Sequence, residues 1–508
     1  MLNEMIASYL YSMSTVFFIR QVAAILLLFL MGYFLILTLN KGNINTFSVL
    51  LAFPLGVSVY SLVFFILLIL NIRVTGLNLT GTLIFIVILC MTINLLWNKD
   101  YFGGNDLKAV LICIITVLCI AVISSSGFLP TSVTNDSLYY YSMYPKALVH
   151  FGELRKQFNV FLTDVGMTSA TLNTLPFMYG FNEGFGIQWF MNINTLFIVI
   201  YALYTRCAEI MNRKKTNIFT VLLTGILIST MPYLIMSKWA MSNGYFMCFM
   251  FISVYTAYMY AGGKTSIYVS AIIFTMTAFL RMEGSIVALV LILCISTLKA
   301  YSNGKLFGFY ILPVFAVSVM YDVRIFCFMN IEAPYTFLTK EKAMVQLAAM
   351  VIVSVYILFF RSKGSLNPAY LKVLLPLGLI IVNMILFMFN KTLYVENLKA
   401  FVANISNQSG WGVFPMFIIG VYVLCIVVSF KNGDKKVKSE GNVREVIPGY
   451  TYWDLCFLAY LLTAIAVSFA REDALRESIG DSGNRVMLQS VLLAFYAGAE
   501  HIIGLLKE

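Results

Sequence analysis

The chain has 508 residues, of which 60% are hydrophobic and only 11% charged, and its mean hydropathy is +0.88. That is more apolar surface than a water-soluble core can hide. It excludes a soluble enzyme or a cytoplasmic binding module and calls for an all-α polytopic membrane protein, since a helix in lipid satisfies its own backbone amides.

Spanning the hydrocarbon layer takes roughly 20 apolar residues. With that ruler the candidate spans in chain order are Arg20–Asn40, Asn45–Leu70, Leu79–Trp97 and Leu107–Ser125. A long polar interval follows, reaching to about Gly186. Then come Ile187–Arg206, Ile218–Met236, Gly244–Ala261, Ile267–Leu280, Ser285–Leu298 and Phe307–Tyr321. The last group is Ala343–Phe360, Ala369–Phe389, Val413–Phe430, Trp453–Ala470 and Val486–Ile503. The expected total is about 13 to 15 transmembrane helices in a single integral-membrane domain covering residues 1–508. Met1–Phe18 carries Glu4 and no basic leader, so the first span is expected to stay as an anchor.

The distribution of Lys and Arg orients these spans. One face, with the loops around Lys41, Lys99, Arg206–Lys215, Lys264, Lys299–Lys305, Arg361–Lys363 and Lys431–Arg444 and with Lys108, Lys372 and Lys507, holds 19 of the 34 basic residues against nine acids. This +10 face reads as cytoplasmic and leaves +1 of the net +11 for the other. The excess of base is therefore a topology signal and gives no argument for nucleic acid. Residues 126–186 become a long first extracytoplasmic loop, and residues 431–452, rich in Lys, Gly and Asn, a cytoplasmic linker. Lys238 and the Arg281–Glu283 corner fall on the extracytoplasmic face. The nine cysteines show no zinc or disulfide spacing, and His150 and His501 are too few and too far apart for a histidine metal site.

Within the long loop, residues 130–152 read PTSVTNDSLYYYSMYPKALVHFG. Thr134, Asn135 and Asp136 can each cap a helix start, and Asp136, Tyr140 and Tyr144 then share one face. Pro145 interrupts that helix or opens a second turn, and Gly152 offers a stop. The result is an amphipathic, tyrosine-rich interfacial helix.

The pattern Pro130, Asp136, Leu138, Tyr140, Pro145, Lys146, Gly152 resembles the first outer loop of the GT-C superfamily of integral-membrane glycosyltransferases, where an acid opens a surface helix as D-x-L-x-Y-H-x-x-x-P-K. Tyr141 stands where the histidine is usual. Asp481–Gln489, with Arg485, is similar to the N-R-Y-x-x-x-x-P segment that opens a late helix in such proteins, but Ser490 and Val491 occupy the region of the proline. The resemblance implies transfer of a sugar from a polyprenyl-phosphate donor, on the extracytoplasmic face and usually with inversion, to a lipid, glycan or protein acceptor. It further implies that an acid in the first outer loop activates that acceptor, and the style of the motif suggests the inner membrane of a bacterium.

The chemistry assigns roles to match. Displacing phosphate from a sugar requires a base for the incoming hydroxyl and positive charge for the leaving group. Asp136 is the candidate base. Arg485, whose guanidinium can grip two phosphate oxygens, is the first substrate-binding candidate, with Lys146, Tyr140, Asp164, Arg281 and Lys238 as further ones. Each has a structural alternative: a cap for Asp136, headgroup contact for Arg485, an aromatic belt for Tyr140, and mutual satisfaction for Arg281 and Glu283. Ser137 stands where several members of the superfamily have a second acid, so a divalent cation remains open, with Glu153 or Asp164 as the other carboxylate. A polysaccharide polymerase or ligase and a flippase for lipid-linked glycans are the alternative functions. A flippase would place charges near the bilayer midplane or show paired broken helices.

Overall fold

The computed structural model describes residues 15–42, 44–97, 144–153, 186–238, 241–281, 283–323, 339–361, 368–406, 411–436, 451–470, 485–486 and 488–505, with isolated positions elsewhere. Every element among them is helical. In chain order these are α1 (Thr15–Leu39), α2 (Thr46–Ile69), α3 (Gly76–Trp97), α4 (Tyr144–Phe151), α5 (Gly186–Ala208), α6 (Arg213–Ser229), α7 (Met231–Lys238), α8 (Ser242–Ala261), α9 (Ile267–Leu280) and α10 (Gly284–Ile295). They are followed by α11 (Asn303–Val323), α12 (Lys340–Phe360), α13 (Pro368–Phe389), α14 (Lys391–Ser406), α15 (Phe414–Lys436), α16 (Tyr452–Ala470) and α17 (Val491–Leu505). Among the described residues, eight helices are long and apolar enough to cross a membrane and five shorter ones are also apolar. The chain is a multi-pass, all-α membrane protein.

The helix limits follow local chemistry. Asn45, Asn212, Ser266, Ser302 and Thr339 each turn a side-chain oxygen toward an amide of the first turn that has no helical partner. The span expected over Ile218–Met236 is two helices, because Thr230 is extended (ψ 133°) and Pro232 sits in the first turn of α7, where its missing N–H costs nothing. The linker expected over 431–452 begins later than the composition indicates: α15 continues through Lys436, and residues 437–450 lie outside the described residues. The fourth expected span, Leu107–Ser125, lies almost wholly outside them as well.

The chain divides into two compact units. The first comprises residues 1–198, 237–292 and 298–362, and the second residues 199–236, 293–297 and 363–508.

In the first unit α1 and α2 touch through their backbones. A Cβ on Gly32 would lie 1.8 Å from the Ala52 carbonyl oxygen, and one on Gly56 would lie 1.9 Å from that of Leu28. Small residues at such a crossing let dispersion replace the hydrophobic drive that lipid removes. One end of this unit gathers the α1–α2, α8–α9 and α11–α12 extremities, with Lys41, Lys264, Lys305 and Arg361. Asn45 Nδ2 donates to the Lys264 carbonyl (3.0 Å), the Ser266 amide to Asn40 Oδ1 (3.2 Å), and Arg361 Nη1 to the Tyr301 carbonyl (2.7 Å). From this lysine-rich end a series of hydroxyl pairs runs inward between helices. Tyr301 and Tyr310 meet at 2.8 Å, Tyr310 donates to Ser270 Oγ at 2.7 Å, and Ser253 meets Thr277 at 2.7 Å. Each pair satisfies two polar groups that lipid would leave bare.

Two apolar helices here are shorter than the rest. α9 has 14 residues and α10 has 12, about 21 and 18 Å at 1.5 Å per residue, against a hydrocarbon thickness of about 30 Å. They form a hairpin whose tip carries Arg281 and Glu283.

Candidate functional site

Charged groups at the tip of a short hairpin require partners, and the structure supplies them. Arg281 and Glu283 are 7% and 5% exposed. Arg281 Nε donates to Glu283 Oε1 at 2.5 Å, while Nη1 donates to Ser242 Oγ at 2.7 Å and to Asn243 Oδ1 at 2.9 Å. Ser242 and Asn243 open α8, so the guanidinium joins two helices. The mutual satisfaction of Arg281 and Glu283 that the sequence offers as an alternative is present in this geometry.

Next to this pair, Ser285 in the first turn of α10 meets Ser318 of α11, Oγ to Oγ, at 2.6 Å. One helical turn beyond Ser318 stands Asp322, 7% exposed, and neither of its carboxylate oxygens has a hydrogen-bond partner among the described residues. The sequence reading passed over Asp322, although a carboxylate in the last turn of an apolar helix is the signal that could have found it.

At the same end of the unit, α4 folds as its sequence directs. Pro145 occupies the first turn, where proline is tolerated, and Gly152 ends the helix at φ +69°. The Gly152 carbonyl accepts the Val74 amide at 2.7 Å, which pins α4 against the turn between α2 and α3. A Cβ on Gly152 would stand 2.7 Å from Arg73 Cγ and 2.8 Å from the Val74 carbonyl oxygen. Pro145 and Leu148 are buried, while Lys146 and His150, four residues apart, are exposed. The helix therefore lies with one face packed and one face out. Lys238 is the last residue of α7. Asp136, Tyr140 and Asp164 lie outside the described residues.

Arg485 belongs to the second unit. It is half-buried and followed by Val486 in a short helical stretch. Tyr460 of α16 holds that stretch, its hydroxyl donating to the Val486 carbonyl at 2.7 Å and lying 2.8 Å from Gln489 Oε1. The same unit has an apolar recess of about 410 Å³, lined by Ile380, Met384, Phe387, Leu462 and Ile465, with Asn383 and Tyr394 as its polar members. Tyr394 donates to Asn383 Oδ1 at 3.2 Å, and burial raises the pKa of its phenol, which keeps it a donor.

A second polar centre in this unit was not anticipated. Asp454, 2% exposed, accepts the Tyr422 hydroxyl at 2.6 Å and the Thr451 amide at 2.6 Å, and lies 2.9 Å from His501 Nε2. The Asp454 amide returns a bond to Thr451 Oγ1 at 3.3 Å. This reciprocal T-x-x-D arrangement is a capping box at the start of α16, and Thr451–Asp454 was legible as one. Next to His501 in sequence, Glu500 accepts from Arg206, which also donates to Glu209, each at 2.7 Å. Among the described residues no group of three or more His, Cys, Asp or Glu side chains could hold a metal ion.

Compared with protein-family models, with curated proteins and with solved structures, the chain matches none.

Proposed function

We propose that the protein is a membrane glycosyltransferase that moves a sugar from a polyprenyl-phosphate donor to an acceptor hydroxyl on the extracytoplasmic face of a bacterial cytoplasmic membrane. The observation that carries this reading is the acid–tyrosine–proline–lysine pattern of residues 136–152 together with its described part, α4, a short helix with Pro145 in its first turn that ends before Gly152 and keeps Lys146 outward.

In this reaction the Asp136 carboxylate takes the proton of the acceptor hydroxyl, the new bond forms to the anomeric carbon, and the bond from that carbon to the phosphate oxygen breaks. Lys146, outward on α4, supplies positive charge for the departing phosphate. Arg281, which bonds Glu283, Ser242 and Asn243, stays with Lys238 among the further substrate-binding candidates. The apolar recess of the second unit has the size and lining to receive part of an isoprenoid chain.

Asp136→Asn keeps the cap and the volume and removes the base. Loss of extracytoplasmic glycan modification in cells with normal amounts of the variant in the membrane is the expected result. Retained modification would overturn Asp136 as base and, with it, the transferase reading.

A further inference from the structure

We propose that the lysine-rich end of the first unit is a docking surface for the headgroup of an anionic phospholipid, centred on Lys264 and Lys305, and that it holds such a lipid more tightly than a mere excess of basic charge does. Lys146 and Arg281 stand at the opposite end of that unit, because α2 and α9 both run from the lysine-rich end toward them. The surface therefore has no share in the transfer of sugar.

The starting point is an imbalance of charge. This end carries Lys41, Lys264, Lys299, Lys305 and Arg361, while residues 40–46, 262–266, 296–306 and 361–367 contain no Asp or Glu. The adjoining stretches outside the described residues do not cancel the excess. Residues 362–367 add Lys363, and residues 98–110, which follow α3, add Lys99 and Lys108 against Asp100 and Asp106. The four lysines are exposed, and none has a carboxylate partner among the described residues. Like charges repel, yet the fold ties these together. Asn45 joins the turn after Lys41 to the Lys264 carbonyl at 3.0 Å. Lys305 Nζ stands 5.5 Å from the centre of the Tyr260 ring, four residues before Lys264, and Arg361 Nη1 reaches Asn303 Oδ1 at 2.9 Å. α2, α9 and α11 also begin here, after Asn45, Ser266 and Ser302, and their positive ends add to the same field. An anion that neutralises this field is bound favourably.

The surroundings select the anion's class. Tyr268, in the first turn of α9, is 50% exposed and meets Phe309 of α11 edge to face at 5.1 Å. Leu312, close to one turn deeper along α11, is 50% exposed as well. An outward tyrosine above outward apolar residues marks the boundary between headgroups and acyl chains. Lys264 and Lys305 precede Tyr268 and Phe309 by four residues each, which sets them at the depth of lipid phosphate. A lysine amine on a flexible stem suits the phosphate diester of a lipid, and the tyrosine and phenylalanine then face the glycerol and the first carbons of its chains. The headgroup rests on an open surface, so no enclosed cavity is required. Arg213, Lys214 and Lys215 of the second unit are exposed too, but they follow one another at a single helix start, four residues after Glu209. They supply the comparison with basic charge that is not gathered from several helices.

The test uses the full-length protein in detergent, mixed with phosphatidylglycerol and phosphatidylcholine of the same acyl chains, and counts retained lipids by native mass spectrometry. The wild type is expected to retain phosphatidylglycerol over phosphatidylcholine by about tenfold or more. Lys264→Gln combined with Lys305→Gln is expected to lower phosphatidylglycerol retention by about tenfold or more, whereas Lys214→Gln combined with Lys215→Gln leaves it within about twofold of wild type. Lys264→Arg combined with Lys305→Arg keeps the charge and is expected to keep the lipid. A wild type without preference between the two lipids would overturn the proposal whatever the variants do. Equal loss in the two glutamine pairs would reduce the effect to general charge, and no loss in either would remove the site; both outcomes overturn it. Inorganic phosphate in large excess separates the two sources of the anion. Phosphatidylglycerol that stays bound supports a lipid site, and displacement by phosphate would overturn it.

Discussion

Arg281 and Glu283, separated by one residue, form an ion pair at the corner between the short helices α9 and α10. Such a pair is tolerated because the guanidinium also reaches Ser242 and Asn243, 39 and 38 residues earlier in the chain. It locks the α9–α10 hairpin to the start of α8. A buried pair of this kind sets register more than it raises stability.

Arg281→Ala strands Glu283 as a buried charge and is expected to cost about 3–5 kcal/mol. Replacing both residues together with apolar ones of similar size, Arg281→Met with Glu283→Leu, is expected to recover most of that loss. Unfolding midpoints of the two variants in the same detergent check the ordering.

Gly32 and Gly56 mark the α1–α2 crossing, where any added Cβ would fall within 2 Å of a carbonyl oxygen. Gly32→Ala and Gly56→Ala are each expected to destabilise by about 1–3 kcal/mol or more, since the backbones must separate. Gly81, within α3 and with nothing within 4 Å of an added Cβ, is the control: Gly81→Ala is expected to stabilise by about 0.5–1 kcal/mol. Thermal unfolding of the three variants reads the difference in sign.

Gly152→Ala introduces a side chain at φ +69° and against Arg73 and Val74. The left-handed conformation alone costs about 1–2 kcal/mol, and the contact with the α2–α3 turn must open. α4 should shift and extracytoplasmic glycan modification fall severalfold while the protein still reaches the membrane. Quantitative immunoblotting beside a glycan assay decides this, and unchanged modification would mean that the seat of α4 has no part in function.

Thr451→Val removes the side-chain half of the capping box and is expected to cost about 1 kcal/mol. Asp454→Ala costs more, because Tyr422, Thr451 and His501 all lose the acceptor they share. His501→Leu falls between the two, since Tyr422 and Thr451 still satisfy the carboxylate. Unfolding midpoints in that order are the expected outcome, and a larger effect of Thr451→Val than of Asp454→Ala would contradict the network.

The sequence by itself determined that the chain is helical and crosses a membrane many times, and it placed most spans to within a few residues. It also set the limits of α4 through Pro145 and Gly152. These are local properties: hydropathy acts over a window of about 20 residues, and a cap or a proline acts within one turn. Tertiary structure alone decided which polar side chain meets which. From the sequence Arg281 is a substrate-binding candidate or a partner of Glu283, and only the approach of α8 adds Ser242 and Asn243 to its partners. Asp454 and His501 meet across 47 residues. Such pairings depend on the rotation of each helix about its axis and on the depth at which helices cross. Neither is written in the hydropathy of a span, because in lipid every face of an apolar helix is equally well solvated until another helix packs against it.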